Sequence, residues 1–148
     1  MAAPDLFAPN DRAFTLKVTT QPQDIDGLGH VSNLVYVRWV QDVAVAASES
    51  YGWDFAAYQR LGMFFVVRKH EIEYLRPAMP GDVVRLETRV VSMSAASSVR
   101  KTRVLRERDG AVLCKAATDW VYVELARARP KRVPEEIKSR FPLEPDDQ

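Results

Sequence analysis

The longest helical pattern in the chain lies over residues 33–51. These residues are mostly apolar, and their polar members recur three, four, ten and eleven positions after the first, on one side of a 3.6-residue helix. The polar positions are Arg38, Gln41, Asp42, Ser48 and Glu49. Because the remaining arc is wide and apolar, we expect a largely buried helix that Gly52 ends. Residues 34–39 are rich in strand formers, so an edge strand is the alternative.

Five further segments show the pattern of strands. Each is rich in β-branched or aromatic side chains or alternates between apolar and polar residues. They cover residues 14–20, 63–74, 83–93, 97–107 and 111–125. A short helix is predicted over residues 54–61, with Asp54 as its N-cap, and Asp109-Gly110 predicts a hairpin. Successive strands with short connections favour an antiparallel meander, and the long helix makes the fold class α+β.

Length and composition fit a single domain over residues 1–148. The apolar fraction of 47% is enough for a hydrophobic core. Residues 1–12 are predicted to form a loose arm, and residues 126–148 a tail with a basic cluster at its start and a short helix from residue 134. The acidic residues at its end, Glu144, Asp146 and Asp147, are expected to be disordered.

Charge and cysteine content argue against several kinds of protein. The net charge of +1 gives no indication of a nucleic-acid or anionic-membrane partner. No segment resembles a signal peptide or a membrane span. A single cysteine, Cys114, allows no intrachain disulfide, so we expect a cytoplasmic protein with a buried thiol. Two histidines, His30 and His70, are too far apart to indicate a metal site, and we expect neither a metal nor an organic cofactor.

A polar loop precedes the long helix. It has the sequence DIDGLGH over residues 24–30, with two carboxylates and two glycines. Ser32 is the predicted N-cap, and the backbone N–H groups of residues 32–34 have no partner within the helix. These donors and the helix dipole favour negative charge or a polarised carbonyl oxygen. An acidic residue nearby would face that electrophile, which is half of an acyl-transfer site.

Two motifs in the chain resemble the signatures of a known family. The motifs are Asp26-Gly27-Leu28-Gly29-His30-Val31-Ser32-Asn33, followed by Tyr36, and Glu73-Tyr74-Leu75-Arg76-Pro77-Ala78, followed by Gly81-Asp82. In this order they resemble the hotdog-fold acyl-CoA thioesterases of the 4-hydroxybenzoyl-CoA thioesterase type, over roughly residues 14–123. The resemblance implies a hotdog fold, with an antiparallel five-stranded sheet curled around one long central helix. It also implies hydrolysis of an acyl- or aroyl-CoA to the free acid and CoA.

The resemblance gives Asp26 the place of the catalytic carboxylate. Asp26 would attack the thioester carbon or activate a water molecule, and the sequence leaves both open. The backbone N–H of Asn33 would polarise the carbonyl, and Gly29 would let the loop turn beneath it. The structural alternative for Asp26 is a carboxylate that caps a nearby turn. We expect Asp24 to stabilise the loop.

Other side chains are candidates for substrate binding. His30 is expected to support the site, and Tyr36 belongs to the same motif. The resemblance implies a homodimer or a dimer of dimers with sheets paired edge to edge, in which Arg68 and His70 would wall the partner's pocket. Apolar residues on both faces of strand 63–74 also favour such a partner. Arg100 is one of several arginines that could meet the CoA phosphates.

Two other functions stay open at this point. An enoyl-thioester hydratase or dehydratase would share the fold, but it needs a histidine and an acid placed for proton shuttling. Here His30 follows Asp26 by four residues in a glycine loop, which is a different arrangement. A non-catalytic domain that binds acyl thioesters would need no acid at the site.

Overall fold

The computed structural model describes residues 13–143, with every predicted helix and strand of the central region present. The arm predicted for residues 1–12 and the disorder predicted near residues 144–148 lie outside the described residues. The helices are α1 (Asn33–Ser50), α2 (Phe55–Leu61) and α3 (Glu135–Lys138). The strands are β1 (Phe14–Thr19), β2 (Met63–Tyr74), β3 (Val83–Met93), β4 (Ser97–Arg106), β5 (Val112–Glu124) and β6 (Arg129–Pro130).

The strands form one antiparallel sheet in the order β1-β3-β4-β5-β2, and the short β6 pairs with the end of β5. Strands β3, β4 and β5 form the predicted meander. For β2 that prediction is wrong, because β2 pairs with β5 at the far edge of the sheet instead of with β3. The connection over residues 75–82 contains two prolines, which lack an N–H donor. Hydrogen bonds of Ala78 with Val31 and Tyr36 anchor this connection at the start of α1. It therefore crosses the sheet instead of closing a hairpin.

Helix α1 packs its apolar side across the concave face of the sheet, so the helical prediction for residues 33–51 is confirmed. Ser32 caps it by accepting a hydrogen bond from the Leu34 N–H at 3.2 Å, and Gly52 follows with φ +92°. Trp39 and Val43 are fully buried against β3 and β4, and burying such a side chain stabilises the fold by about 1.5–3 kcal/mol. A curled sheet around one central helix is the predicted α+β hotdog fold.

A second apolar cluster lies beyond the carboxyl end of α1. It joins Tyr58 of α2, Tyr122 of β5 and Ile137 of α3, together with Val133 and Phe141. Val133, Ile137 and Phe141 of the tail are therefore packed into the fold, while the basic cluster over residues 127–132 is exposed as predicted. No helix within residues 13–143 is long and apolar enough to cross a membrane.

Candidate active site

The loop that precedes α1 is a tight hairpin fixed by its own backbone. The Asp26 N–H donates to the His30 carbonyl at 3.0 Å, and the Gly29 N–H donates to the Asp26 carbonyl at 3.0 Å. Ile25 and Val31 form an antiparallel bridge at its base. Gly29 has φ +84°, a conformation that glycine adopts without strain. The sequence prediction of a turn at this glycine is therefore confirmed.

The Asp26 carboxylate is exposed at the tip of this hairpin. Its Oδ1 accepts a hydrogen bond from the Leu28 N–H at 2.9 Å. Its Oδ2 has no hydrogen-bond partner within the part of the chain that the structure describes. One oxygen thus orients the carboxylate by capping the turn, and the other is available to a ligand.

Asp24 lies close in sequence but in a different environment. It is only 2% exposed, and its Oδ1 accepts a hydrogen bond from the Arg38 guanidinium at 3.1 Å. Its Oδ2 accepts from the Gln21 N–H at 2.9 Å, and its backbone carbonyl accepts from the Ser32 N–H at 2.9 Å. Asp24 therefore holds the loop against α1, as the sequence predicted, and Asp26 is the accessible carboxylate of the pair.

An open hydrogen-bond donor lies at the first residue of α1. The next two N–H groups, those of Leu34 and Val35, are satisfied by the Ser32 side chain and carbonyl at 3.2 and 3.0 Å. The Asn33 N–H has no acceptor among residues 13–143. It points from the positive end of the helix dipole, where negative charge is stabilised.

The two sequence motifs meet beside this donor. The Val31 N–H donates to the Ala78 carbonyl at 2.9 Å, and the Ala78 N–H donates to the buried Tyr36 hydroxyl at 2.8 Å. Burial raises the pKa of Tyr36, so its hydroxyl stays protonated at neutral pH. Arg106 fixes the same connection by donating to Asp82 at 3.3 Å. The second motif thus positions the start of α1.

A cavity of about 200 Å³, the amino-terminal cavity, opens where these elements meet. Its lining residues are His30, Val31, Asn33, Tyr36, Tyr74, Leu75, Arg76 and Pro77. Three of the predicted site residues are thereby brought together: His30, Asn33 and Tyr36. Tyr74 and Arg76 were missed as lining residues, although both belong to the second motif. The Arg76 side chain is exposed and makes no ion pair with a described residue.

Five predicted site residues do not line this cavity of their own chain. Asp26 and Gly29 lie on the adjacent loop. Arg68 and His70 lie on β2, which is an edge strand, and Arg68 approaches Asp119 at 3.8 Å. Their expected role is in a partner's pocket, and it stays a prediction. Arg100 lies in a separate cavity.

His70 is held between the sheet and α1. Its Nε2 lies 3.2 Å from the amide nitrogen of Gln41, which can only donate, so Nε2 is the acceptor. Its Nδ1–H then donates to the hydroxyl of buried Thr118 at 2.9 Å. Burial lowers the pKa of His70, in agreement with a neutral ring. These contacts match a structural role for His70 within one chain.

Arg100 does not fit the prediction of a surface cation that meets the CoA phosphates. Its side chain is only 5% exposed, and its Nη1 donates to the Thr88 hydroxyl at 3.3 Å. The residue points inward because β4 alternates, with Arg100, Thr102 and Val104 on the buried face. Cys114 is also buried, and burial raises its pKa to about 12, as expected for an unreactive thiol.

No cluster of three or more His, Cys, Asp or Glu side chains suited to a metal ion occurs in the described range 13–143.

The family model of the thioesterase-like superfamily matches residues 20–141, which is most of the chain. The chain belongs to the thioesterase-like superfamily. This assignment confirms the family resemblance carried by the two motifs.

Individual relatives agree with this assignment. The acyl-CoA thioester hydrolase YbgC of Escherichia coli is 26% identical over 132 residues, which covers 89% of this chain and 98% of that protein. The protein TT1821 of Thermus thermophilus is 26% identical, with a TM-score of 0.78 over 87% of this chain and 95% of its own. The 1,4-dihydroxy-2-naphthoyl-CoA thioesterase Slr0204 of Synechocystis has a TM-score of 0.81 over the same shares. At 17% identity, that likeness shows the hotdog fold alone.

Proposed function

We propose that this member of the thioesterase-like superfamily hydrolyses an acyl- or aroyl-CoA thioester to the free acid and CoA. One observation carries the proposal. The unsatisfied Asn33 N–H lies at the start of α1, directly after the loop that presents the free Oδ2 of Asp26. The similarity to YbgC, an acyl-CoA thioester hydrolase, supports the same reaction class.

The Asn33 N–H would polarise the thioester. As a nucleophile attacks the carbonyl carbon, negative charge grows on the carbonyl oxygen. A backbone donor at a helix N-terminus stabilises that charge without reorganisation, because it is already fixed in place. The capping of Leu34 and Val35 by Ser32 leaves the Asn33 N–H as the donor for this role.

Asp26 would bring about the attack on the thioester carbonyl by one of two routes. In the first, Oδ2 attacks the carbonyl carbon, the C–S bond breaks, CoA leaves as the thiolate, and water then hydrolyses the resulting anhydride. In the second, Oδ2 accepts a proton from a water molecule that attacks the same carbon, the C–S bond breaks to give the free acid, and the departing CoA thiolate takes up the proton. The hydrogen bond from Leu28 keeps the carboxylate oriented in both routes. His30 lines the adjacent cavity and would support the bound thioester.

Arg76 is our candidate for the cation that meets the CoA phosphates. It lines the amino-terminal cavity, and no carboxylate of the described residues pairs with it. Tyr36 and Tyr74 would wall the bound group, since their rings are in edge contact at 5.6 Å. The reaction as proposed uses protein groups alone and no cofactor, and we expect it in the cytoplasm.

We further propose that the working site forms between two chains of a homodimer. Asp26 does not line the amino-terminal cavity of its own chain. Strand β2 is an edge strand, and its Val66 is exposed. Pairing of two such edges would cover this apolar side chain and bring Arg68 and His70 of one chain toward the loop of the other.

The test is an assay of the wild-type protein on acyl-CoA and aroyl-CoA thioesters of increasing size. Release of the CoA thiol is followed with a thiol reagent, and hydration of an enoyl-CoA is followed in parallel. We expect thiol release that saturates with substrate and no hydration. Hydration without thiol release would indicate a hydratase, and binding without either reaction would indicate a non-catalytic domain. Both of these outcomes would contradict the proposal.

A further inference from the structure

A second cavity, the aromatic cavity, lies near the carboxyl end of α1 and has a volume of about 140 Å³. Its lining residues come from α1, α2, the four strands β2 to β5 and two connecting segments. They include Trp53, Phe55, Tyr58, Phe64, Phe65 and Trp120, together with Arg100. The two cavities share no lining residue. Tyr36 lines the amino-terminal cavity and Ala44 lines the aromatic cavity. These two residues are about 12 Å apart along α1, at a rise of 1.5 Å per residue.

Arg100 places an uncompensated cation in this apolar cavity. Its only hydrogen bond within residues 13–143 is the one to Thr88, and no carboxylate there forms an ion pair with it. Burial lowers the pKa of Arg100 to about 10, which still leaves the guanidinium charged at neutral pH. A buried charge without a counter-ion is costly, so proteins rarely keep one unless a ligand pairs with it.

Trp120 lines the same cavity and carries a second hydrogen-bond donor. Its indole Nε1 is buried and has no hydrogen-bond partner, the only such side-chain nitrogen or oxygen in the described part of the chain. Buried donors are normally satisfied, and an exception calls for an explanation. An acceptor bound in the cavity would satisfy both the Trp120 N–H and the Arg100 guanidinium.

We propose that the aromatic cavity binds a carboxylate with a single-ring aromatic body, and that Arg100 is its counter-ion. A cavity of about 150 Å³ with apolar walls holds one benzene molecule, so the volume suits one ring. The ring would pack among Trp53, Phe64 and Phe65, and the carboxylate would accept hydrogen bonds from Arg100 and Trp120. Val45 and Phe55 also line the cavity and are exposed, so it opens to solvent.

The carboxylate could reach the cavity from two sources with the same chemistry. It could be a free aromatic acid, or a ring carboxylate carried on the acyl group of a CoA thioester. The proposal concerns the binding of that carboxylate and does not require that the protein hydrolyse a thioester.

The test measures binding of benzoate and of its neutral analogue, benzyl alcohol, by calorimetry. We expect benzoate to bind the wild-type protein at least about tenfold more tightly than benzyl alcohol, since only benzoate pairs with a charge. Arg100→Gln should remove this preference. The matched control is Arg60→Gln, which alters an exposed arginine on α2 next to the cavity and should leave the preference unchanged.

Two further variants keep the proposal testable if Arg100→Gln does not fold. Arg100→Lys retains the charge and should retain part of the preference for benzoate, and Trp120→Phe removes only the indole donor and should weaken benzoate binding several-fold.

Displacement of benzoate by the CoA thioester of terephthalate would identify the acyl group as the source, and joint binding would identify the free acid. Absence of benzoate binding to the wild type, or equal affinity for benzyl alcohol, would overturn the proposal.

Discussion

The two ends of α1 offer different chemistry on one helix. At its amino end lie an unsatisfied backbone N–H and an exposed carboxylate, in a segment of the chain that short-range hydrogen bonds hold in place. At its carboxyl end, a buried guanidinium lies among aromatic rings, and elements distant in sequence hold it there. The amino end suits the stabilisation of charge that develops during a reaction. The carboxyl end suits the binding of a charge that is already present.

Both ends depend on the burial of the middle of α1, and breaking this burial should have the largest effect. Val43 is 0% exposed and packs against the sheet. Val43→Asp would bury a carboxylate without a partner, so we expect no soluble folded protein. Soluble yield and the circular dichroism melt measure this effect.

Val45→Asp is the control for that substitution. Val45 lies on the same helix two residues later and is 50% exposed, so an aspartate there can stay in water. We expect a soluble protein with a melt close to that of the wild type. A folded Val43→Asp protein with an unchanged melt would contradict the packing of α1 described above.

Dilution of the protein tests whether the proposed site at the amino end of α1 needs a partner chain. If the site is shared, activity should be lost as the homodimer of 16.8 kDa chains dissociates. Light scattering gives the mass, and specific activity is measured over the same dilution series. A monomer that keeps full specific activity would show that one chain holds a complete site.

The contact between the two sequence motifs predicts a smaller effect. Tyr36→Phe removes the acceptor of the buried Ala78 N–H, and an unsatisfied buried donor costs about 1–3 kcal/mol. We expect the free energy of unfolding in urea to fall by that amount. The control is Tyr51→Phe, because the Tyr51 hydroxyl makes no hydrogen bond with a described residue. Equal effects of the two variants would mean that the Tyr36 hydroxyl has no special part in fixing the connection.

The smallest predicted effect concerns pH. Burial lowers the pKa of His70 in the folded state, so protonation favours the unfolded chain. The stability held by the neutral ring is complete above the unfolded pKa of about 6.5 and is lost as pH falls below it. Thermal melts between pH 7.5 and pH 5 should show a smaller decline for His70→Gln than for the wild type. Parallel declines would exclude His70 as a source of the pH dependence.

The amino end could be predicted from the sequence because its geometry is local. The N-cap at Ser32, the turn at Gly29 and the structural role of Asp24 all follow from residues within a short distance along the chain. The crossing of the connection after β2 could not be predicted, because it depends on the long-range hydrogen bonds of Ala78 with Val31 and Tyr36.

The aromatic cavity was even harder to predict from the sequence, because it depends on contacts between distant parts of the chain. Arg100 alternates with apolar and polar neighbours in a way that also fits a solvated strand face. Residues of α1, α2 and β2 line the same cavity as Arg100, and these elements lie far from it in sequence. Alternation indicates that two faces exist, but the pairing of distant elements decides which face is covered.

The central claim is that hydrolysis takes place at the amino end of α1 with Asp26 as nucleophile or general base. The most direct measurement compares kcat for Asp26→Asn with kcat for Asp42→Asn on the same thioester. Asp42 is an exposed carboxylate on α1 itself, which makes it a matched control. We expect Asp26→Asn to lower kcat at least about a hundredfold with an unchanged melt, and Asp42→Asn to leave kcat near the wild-type value. Wild-type turnover by Asp26→Asn would contradict the claim.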